Sequence, residues 1–189
     1  MDFLDIANAV YYRVGGEVEL NEESRKIAES FKKRNKTVFI LIDGMGALVL
    51  NNLLPVSFLN ENVKEVATTI FPSTTSVVLT ALATGKYPTT HAINGWFSYV
   101  EETNESIAAL PFVDRFDAKA KLKVNFKDMF YLDARMSKIP GRVSMIASSE
   151  IINSEYSVWS RGNTKGYGYR TLKGAFQTLS RLLTKDNEK

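Results

Sequence analysis

Two oxygen-bearing side chains, Asp43 and Thr75, stand where an α/β chain places reactive groups. Asp43 directly follows Thr37-Val-Phe-Ile-Leu-Ile42, a run that offers no other strong ligand. In open α/β sheets, ligands sit beyond the carboxyl ends of strands. A carboxylate there is poised for a hard or borderline cation, or else caps the helix that follows. Gly44 and Gly46 flank Met45 and permit a sharp turn in either case. They do not make a dinucleotide loop, because the third glycine position is Val49 and the acid precedes them. Thr75 lies in the first turn expected after Pro72, where free backbone N–H groups and the helix dipole favour an anion. A threonine hydroxyl attacks poorly unless a base or metal lowers its pKa. A cation held by Asp43 would do that and would polarise a phosphoryl oxygen. Taken alone, a first-turn threonine more often only caps its helix, and Ser73, Thr74 and Ser76 offer the same service.

The elements that must position this pair follow from periodicity. Residues 22–34 predict a polar helix with acids first and bases last. The unbroken apolar run 37–42 predicts a strand buried on both faces. A helix over 47–54 and a strand over 64–71 follow. Ser73 is the expected N-cap of a helix running to Thr84, with Gly85 as its stop and Val77, Val78, Ala81 and Leu82 on one face. Strands are predicted at 95–100 and 106–113, joined by a polar turn, and at 142–147. A helix spans 171–183, carrying Leu172, Phe176, Leu179 and Leu183, before a charged tail at 185–189. Strand–helix alternation predicts an α/β fold with a largely parallel sheet in a single domain, 1–189, whose first 35 residues form a helical extension. The Gly- and Tyr-rich stretch 156–169 reads as a solvated loop, with Arg161 and Lys165 as weaker phosphate-binding candidates. Asp114, Asp117, Asp128 and Asp133 lack metal-ligand spacing and read as surface charge.

Composition narrows the classes. The chain has 189 residues, 44% hydrophobic and 24% charged, with a net charge of +3. Its basic residues are scattered apart from Lys32-Lys33-Arg34, so stable nucleic-acid binding is not expected. Without cysteine, disulfide scaffolds, thiolate nucleophiles and Cys-ligated zinc are excluded. An acid near the N-terminus and the lack of a ~20-residue apolar run give a cytoplasmic protein with no membrane partner as the expectation.

The stretch from Phe71 to Ile93 carries a resemblance. Pro72, Thr75, Thr84-Gly85, Pro88 and His91 keep every interval of the motif of the type I phosphodiesterase/nucleotide pyrophosphatase family, within the alkaline phosphatase superfamily. Ile42-Asp43-Gly44 resembles that family's first metal-ligand motif. The resemblance implies an alkaline-phosphatase-like sandwich with a largely parallel central sheet flanked by helices. It implies two zinc ions, with Asp43 and Thr75 both on one of them. Thr75 would attack phosphorus, giving a phospho-threonine that water hydrolyses. The substrate implied is a phosphodiester or nucleotide-like small molecule. His91 would be structural. The family often places a phosphate-binding Asn five residues after this His. Trp96 stands there, and Asn94 is either the substitute donor or a plain turn residue. Trp96 and Phe97 are expected in the core rather than on a nucleobase. The family's later ligands include several histidines, and His91 is the last histidine of this chain. Only part of one zinc site is then encoded. The expectation is a sheet incomplete at the C-terminus: an N-terminal portion of the catalytic domain, inactive by itself. The alternative is a degenerate, non-catalytic domain that binds a phosphorylated ligand or a protein. A sulfatase is disfavoured, since its nucleophile derives from Cys or Ser and the matching position is Thr75.

Overall fold

The computed structural model describes residues 1–32, 34–53 and 55–184. Lys33, Leu54 and the charged tail 185–189 lie outside the described residues. The first helix, α1 (Phe3–Arg13), starts at a capping box: Asp2 accepts from the Leu4 and Asp5 N–H groups, and Asp5 accepts from the Asp2 N–H. It packs against α2 (Glu22–Ser30), whose last turn holds no base, so the basic run falls beyond the helix rather than within it.

Short helices α3 (Ala47–Asn51) and α4 (Phe58–Glu61) precede α5 (Thr75–Thr84), the helix around which the molecule is organised. Val77 and Ala81 of α5 face Leu4 and Ala7 of α1 together with Ile70, forming one core cluster. Leu79, on another side of α5, packs on a second cluster of Ile93, Ile107, Phe126, Phe130 and Tyr156. The helix stops at Gly85, whose φ of +72° a side chain would resist. A Cβ on Gly85 would also meet the Arg135 guanidinium at 2.7 Å. Buried Arg135 closes this end of α5. Its Nε donates to the Leu82 carbonyl at 2.9 Å, its backbone N–H to Ala83 at 2.8 Å, and its guanidinium lies over the Tyr11 ring. Burial draws its pKa down to about 10.

Helix α6 (Pro88–His91) starts at a proline, whose fixed φ suits a first helical position. After it come β1 (Phe97–Val100), β2 (Glu105–Ala108) and β3 (Val113–Asp114), an antiparallel meander with Phe97 opposite Ala108 and Ile107 opposite Asp114. Then follow α7 (Phe126–Met129), a 3₁₀ turn at Met136–Lys138, β4 (Ser144–Ser148), α8 (Glu155–Arg161), β5 (Lys165–Tyr169) and α9 (Leu172–Thr184). β4 and β5 pair in parallel across α8, with Ser144 opposite Lys165.

The fold is therefore mixed α/β, and the expected largely parallel sheet is reduced, among the described residues, to the pair β4–β5. Residues 37–42 belong to no helix or sheet, and Val38 to Ile42 are all exposed. No backbone hydrogen bond joins them to another described segment. Residues 64–71 reduce to one parallel bridge between Thr68 and Asp2. Parallel strands find partners only through long crossovers, whereas the meander pairs within one short stretch. The loop expected at 156–169 is instead α8 and β5. Gly166 and Gly168 hide a strand: an added Cβ would meet the Arg161 Nε at 3.0 Å and the Ser149 Oγ at 2.9 Å. Only the absence of a side chain lets β5 lie this close to its neighbours.

Candidate functional site

Asp43 and Thr75 meet. The Thr75 hydroxyl donates to the Asp43 Oδ2 at 2.9 Å, across 32 residues of chain. Asp43 is exposed and Thr75 half-buried. Gly44, with φ +71°, turns the backbone immediately after the acid, and an added Cβ would touch nothing within 4 Å there or at Gly46. The space beside the carboxylate is open on the glycine side.

Thr75 is the first residue of α5. The N-cap is Thr74 rather than the expected Ser73, and its side chain makes no capping bond. The first-turn N–H groups thus lack the side-chain acceptor that an N-cap usually supplies, leaving the positive end of the helix dipole facing outward beside Thr75. Ser76, fully buried, does different work from its neighbours. Its Oγ donates to the Gly95 carbonyl at 2.7 Å and ties the 94–96 segment to the start of α5. Asn94 is exposed on that tethered segment.

His91 is buried, with 2% of its surface exposed. Its Nδ1 accepts from the Ile93 N–H at 3.1 Å, which assigns the proton to Nε2, and Nε2 has no hydrogen-bond partner among the described residues. Burial lowers its pKa to about 4. A neutral ring folded into its own turn is a structural histidine. Ala92 follows it at φ +63°, the left-handed conformation that explains why glycine is usual at this place. From Gly85 to Ala92 the motif is therefore a scaffold of helix stop, helix start and turn.

Other candidates disperse. Arg161 donates to the Ile152 carbonyl, and the Lys165 ammonium lies over Tyr167 at 5.2 Å, so neither approaches Thr75 through any contact. Asp114 accepts from the N–H groups of Phe116 and Asp117, and Asp133 pairs with Lys138, in keeping with surface roles. Trp96 and Phe97, expected in the core, are instead 42% and 43% exposed. The sequence reading missed Arg135 and Arg115, each of which lies over an aromatic ring far from it in sequence.

The structure thus brings a hydroxyl at the uncapped start of a helix together with a carboxylate that follows an apolar segment, on a mixed α/β scaffold. Residues 37–142 match the type I phosphodiesterase / nucleotide pyrophosphatase family, and the chain belongs to that family. No curated protein and no solved structure matches it. The family is one of phosphodiester hydrolases and is in general metal-dependent. Among the described residues, however, no group of three or more His, Asp or Glu side chains is placed to hold a metal ion. Catalytic zinc takes three protein ligands and an open position. Asp43 and Thr75 are two ligand residues, so the described residues do not make a complete zinc site. Among them, no helix is long and apolar enough to cross a membrane.

Proposed function

We propose that this chain carries the nucleophile half of a site that hydrolyses phosphodiester or pyrophosphate bonds in small, nucleotide-like molecules. The observation that supports it is the 2.9 Å bond from Thr75 to Asp43 at an uncapped helix start, within the matched family region. In the reaction, Thr75 Oγ1 forms a bond to phosphorus while the bond to the leaving oxygen breaks, and the leaving group departs with the electron pair. The hydroxyl proton leaves Oγ1, and Asp43 Oδ2 is the acceptor within reach. Water then attacks the phospho-threonine, the P–Oγ1 bond breaks, and the hydroxyl is restored. The α5 N-terminus faces the phosphoryl oxygens, and Asn94 donates to one of them. Asp43 and Thr75 are this chain's contribution to a cation site of the family's zinc type; the remaining ligands are not among the described residues.

The nucleophile assignment is tested without turnover by orthovanadate binding, followed by vanadium NMR. Thr75→Ala is expected to weaken binding at least tenfold, and equal binding would refute the assignment. With zinc and a chromogenic phosphodiester, the chain alone is expected to show no turnover. Turnover that survives Thr75→Ala would sink the proposal altogether.

A second reading, a non-catalytic domain that binds a phosphorylated ligand or a protein, is favoured by there being two ligand residues where catalytic zinc takes three. Calorimetry with zinc separates the two. Submillimolar binding lost in Asp43→Ala counts against the second reading.

A further inference from the structure

Helix α9 carries a stripe that the reaction above does not use. Leu172, Phe176, Leu179 and Leu183 make its apolar side. On the opposite side Gly174, Gln177, Thr178 and Arg181 recur at the i, i+3, i+4 and i+7 spacing of one helix face. With Tyr169 and Arg170 at the end of β5, this face lines a groove of about 420 Å³. Among the described residues no acidic side chain lines it, and both arginines are exposed. Neither guanidinium makes a hydrogen bond, ion pair or ring contact with another described residue. Two cations that border one groove without a counter-charge favour an anion between them.

Gly174 is a second, independent sign of a ligand. Glycine within a helix is unfavourable relative to alanine. Its φ is not left-handed, and an added Cβ would meet only the Thr171 Oγ1, at 3.4 Å, an ordinary contact. Neither backbone conformation nor packing therefore calls for glycine at this place. The space that a side chain would take is the groove itself. The Gly174 N–H is already used, since it donates to the Thr171 Oγ1 at 3.1 Å. The partners left for an anion are thus side chains rather than the start of the helix.

We propose that the β5–α9 groove binds a small linear phosphoanhydride of the pyrophosphate or tripolyphosphate class, with one terminal phosphoryl group on Arg170 and the other on Arg181. A guanidinium takes such a group through two parallel N–H bonds, so two arginines call for two acceptor groups. Arg170 precedes α9, and Arg181 stands roughly 13 Å along the axis from Leu172, its side chain leaning back toward the start of the helix. Between them the wall is Gln177 and Thr178, whose amide and hydroxyl donate to anhydride oxygens. The hydrocarbon linker of a dicarboxylate would leave those donors without acceptors. The groove lies beyond residues 37–142, and no hydrogen bond or ion pair among the described residues joins its lining to Asp43 or Thr75. The site is therefore independent of the Thr75 reading.

Calorimetry on the full chain with tripolyphosphate, orthophosphate and succinate tests this. Tripolyphosphate is expected to bind with a submillimolar Kd, at least tenfold more tightly than either of the others. ADP, which has one free terminal phosphoryl group, is expected to bind more weakly than tripolyphosphate. Arg170→Gln and Arg181→Gln, each checked for folding by circular dichroism, are expected to remove most of the preference. Gly174→Leu, which fills the groove, is expected to weaken tripolyphosphate at least tenfold without lowering Tm. Lys173→Gln removes the same charge from an exposed position outside the groove and is expected to change affinity less than twofold. Thr75→Ala is expected to leave tripolyphosphate binding unchanged. Equal affinity of the three anions, or a preference that persists in both arginine variants, overturns the site. An equal loss in Lys173→Gln overturns it as diffuse attraction, and loss in Thr75→Ala places the anion at the other site instead. ADP binding as tightly as tripolyphosphate overturns the two-ended recognition.

Discussion

Acidification should destabilise this protein through His91, the one histidine of the sequence. The folded imidazole is buried and neutral, with its pKa lowered to about 4, and Nδ1 accepts from the Ile93 N–H. Protonating Nδ1 would set two donors, Nδ1–H and the Ile93 N–H, against each other in a buried site. The unfolded imidazole takes up its proton near the ordinary value of about 6.5. Between those values the unfolded chain binds more protons than the folded one, so stability falls as pH falls through the window. At about 1.4 kcal/mol per pH unit, the loss is ~2 kcal/mol at pH 5 and approaches ~3 kcal/mol at pH 4. Urea unfolding between pH 7.5 and 4 measures it, alongside NMR titration of the single imidazole. His91→Asn keeps an acceptor near the Ile93 N–H and does not titrate. Carboxylates titrate mainly at the lower end of the range, so the difference between wild type and variant isolates the histidine. An imidazole that titrates near 6.5 in the folded protein would refute the reasoning, as would an equal pH slope in the variant.

Three further outcomes follow from the scaffold around α5. Ala92→Gly relieves a left-handed alanine at φ +63° and is expected to stabilise by about 0.5–1 kcal/mol in urea unfolding, after the entropy glycine adds to the unfolded chain. Arg135→Ala removes charged bonds to Leu82 and Asn8 and is expected to cost roughly 2–3 kcal/mol, measured the same way. Ser76→Ala leaves the Gly95 carbonyl without its donor and is expected to cost about 1–2 kcal/mol, with faster amide exchange at Ala109, which bonds to Trp96 next to it.

The candidate site was more legible than the fold. Asp43 and Thr75 could be picked out because a carboxylate after an apolar run and a hydroxyl after a Phe-Pro carry their chemistry in residue type and interval. The fold brings them within 2.9 Å of each other. Gly85 was legible as a stop because the left-handed conformation favours that residue. The sheets were harder. The hairpin of β1 and β2 appeared in the sequence because its partners are neighbours, but β5 did not, because glycines required by close packing look like loop glycines. Residues 37–42 carry a strand's sequence but pair with none of the described residues, since pairing depends on partners that periodicity cannot supply. Arg115 and Arg135 were missed for a related reason. Contact between a guanidinium and a distant ring leaves no local pattern to read.

The unpaired ribbon at 37–42 also bears on how this chain behaves at high concentration. Thr37-Val-Phe-Ile-Leu-Ile42 is six residues without charge, proline or glycine, and its backbone donors and acceptors find no partner within the described chain. Such a segment is a template on which identical segments of other molecules can stack, and the balance between solubility and fibrous aggregation turns on what interrupts it. Here the interruptions are Lys36, which reaches to the Leu183 carbonyl, and Asp43, which bonds to Thr75. These flanking charges act as gatekeepers. The acid that serves the candidate chemistry thus has a second task, and neutralising it to probe that chemistry also removes a guard against self-association.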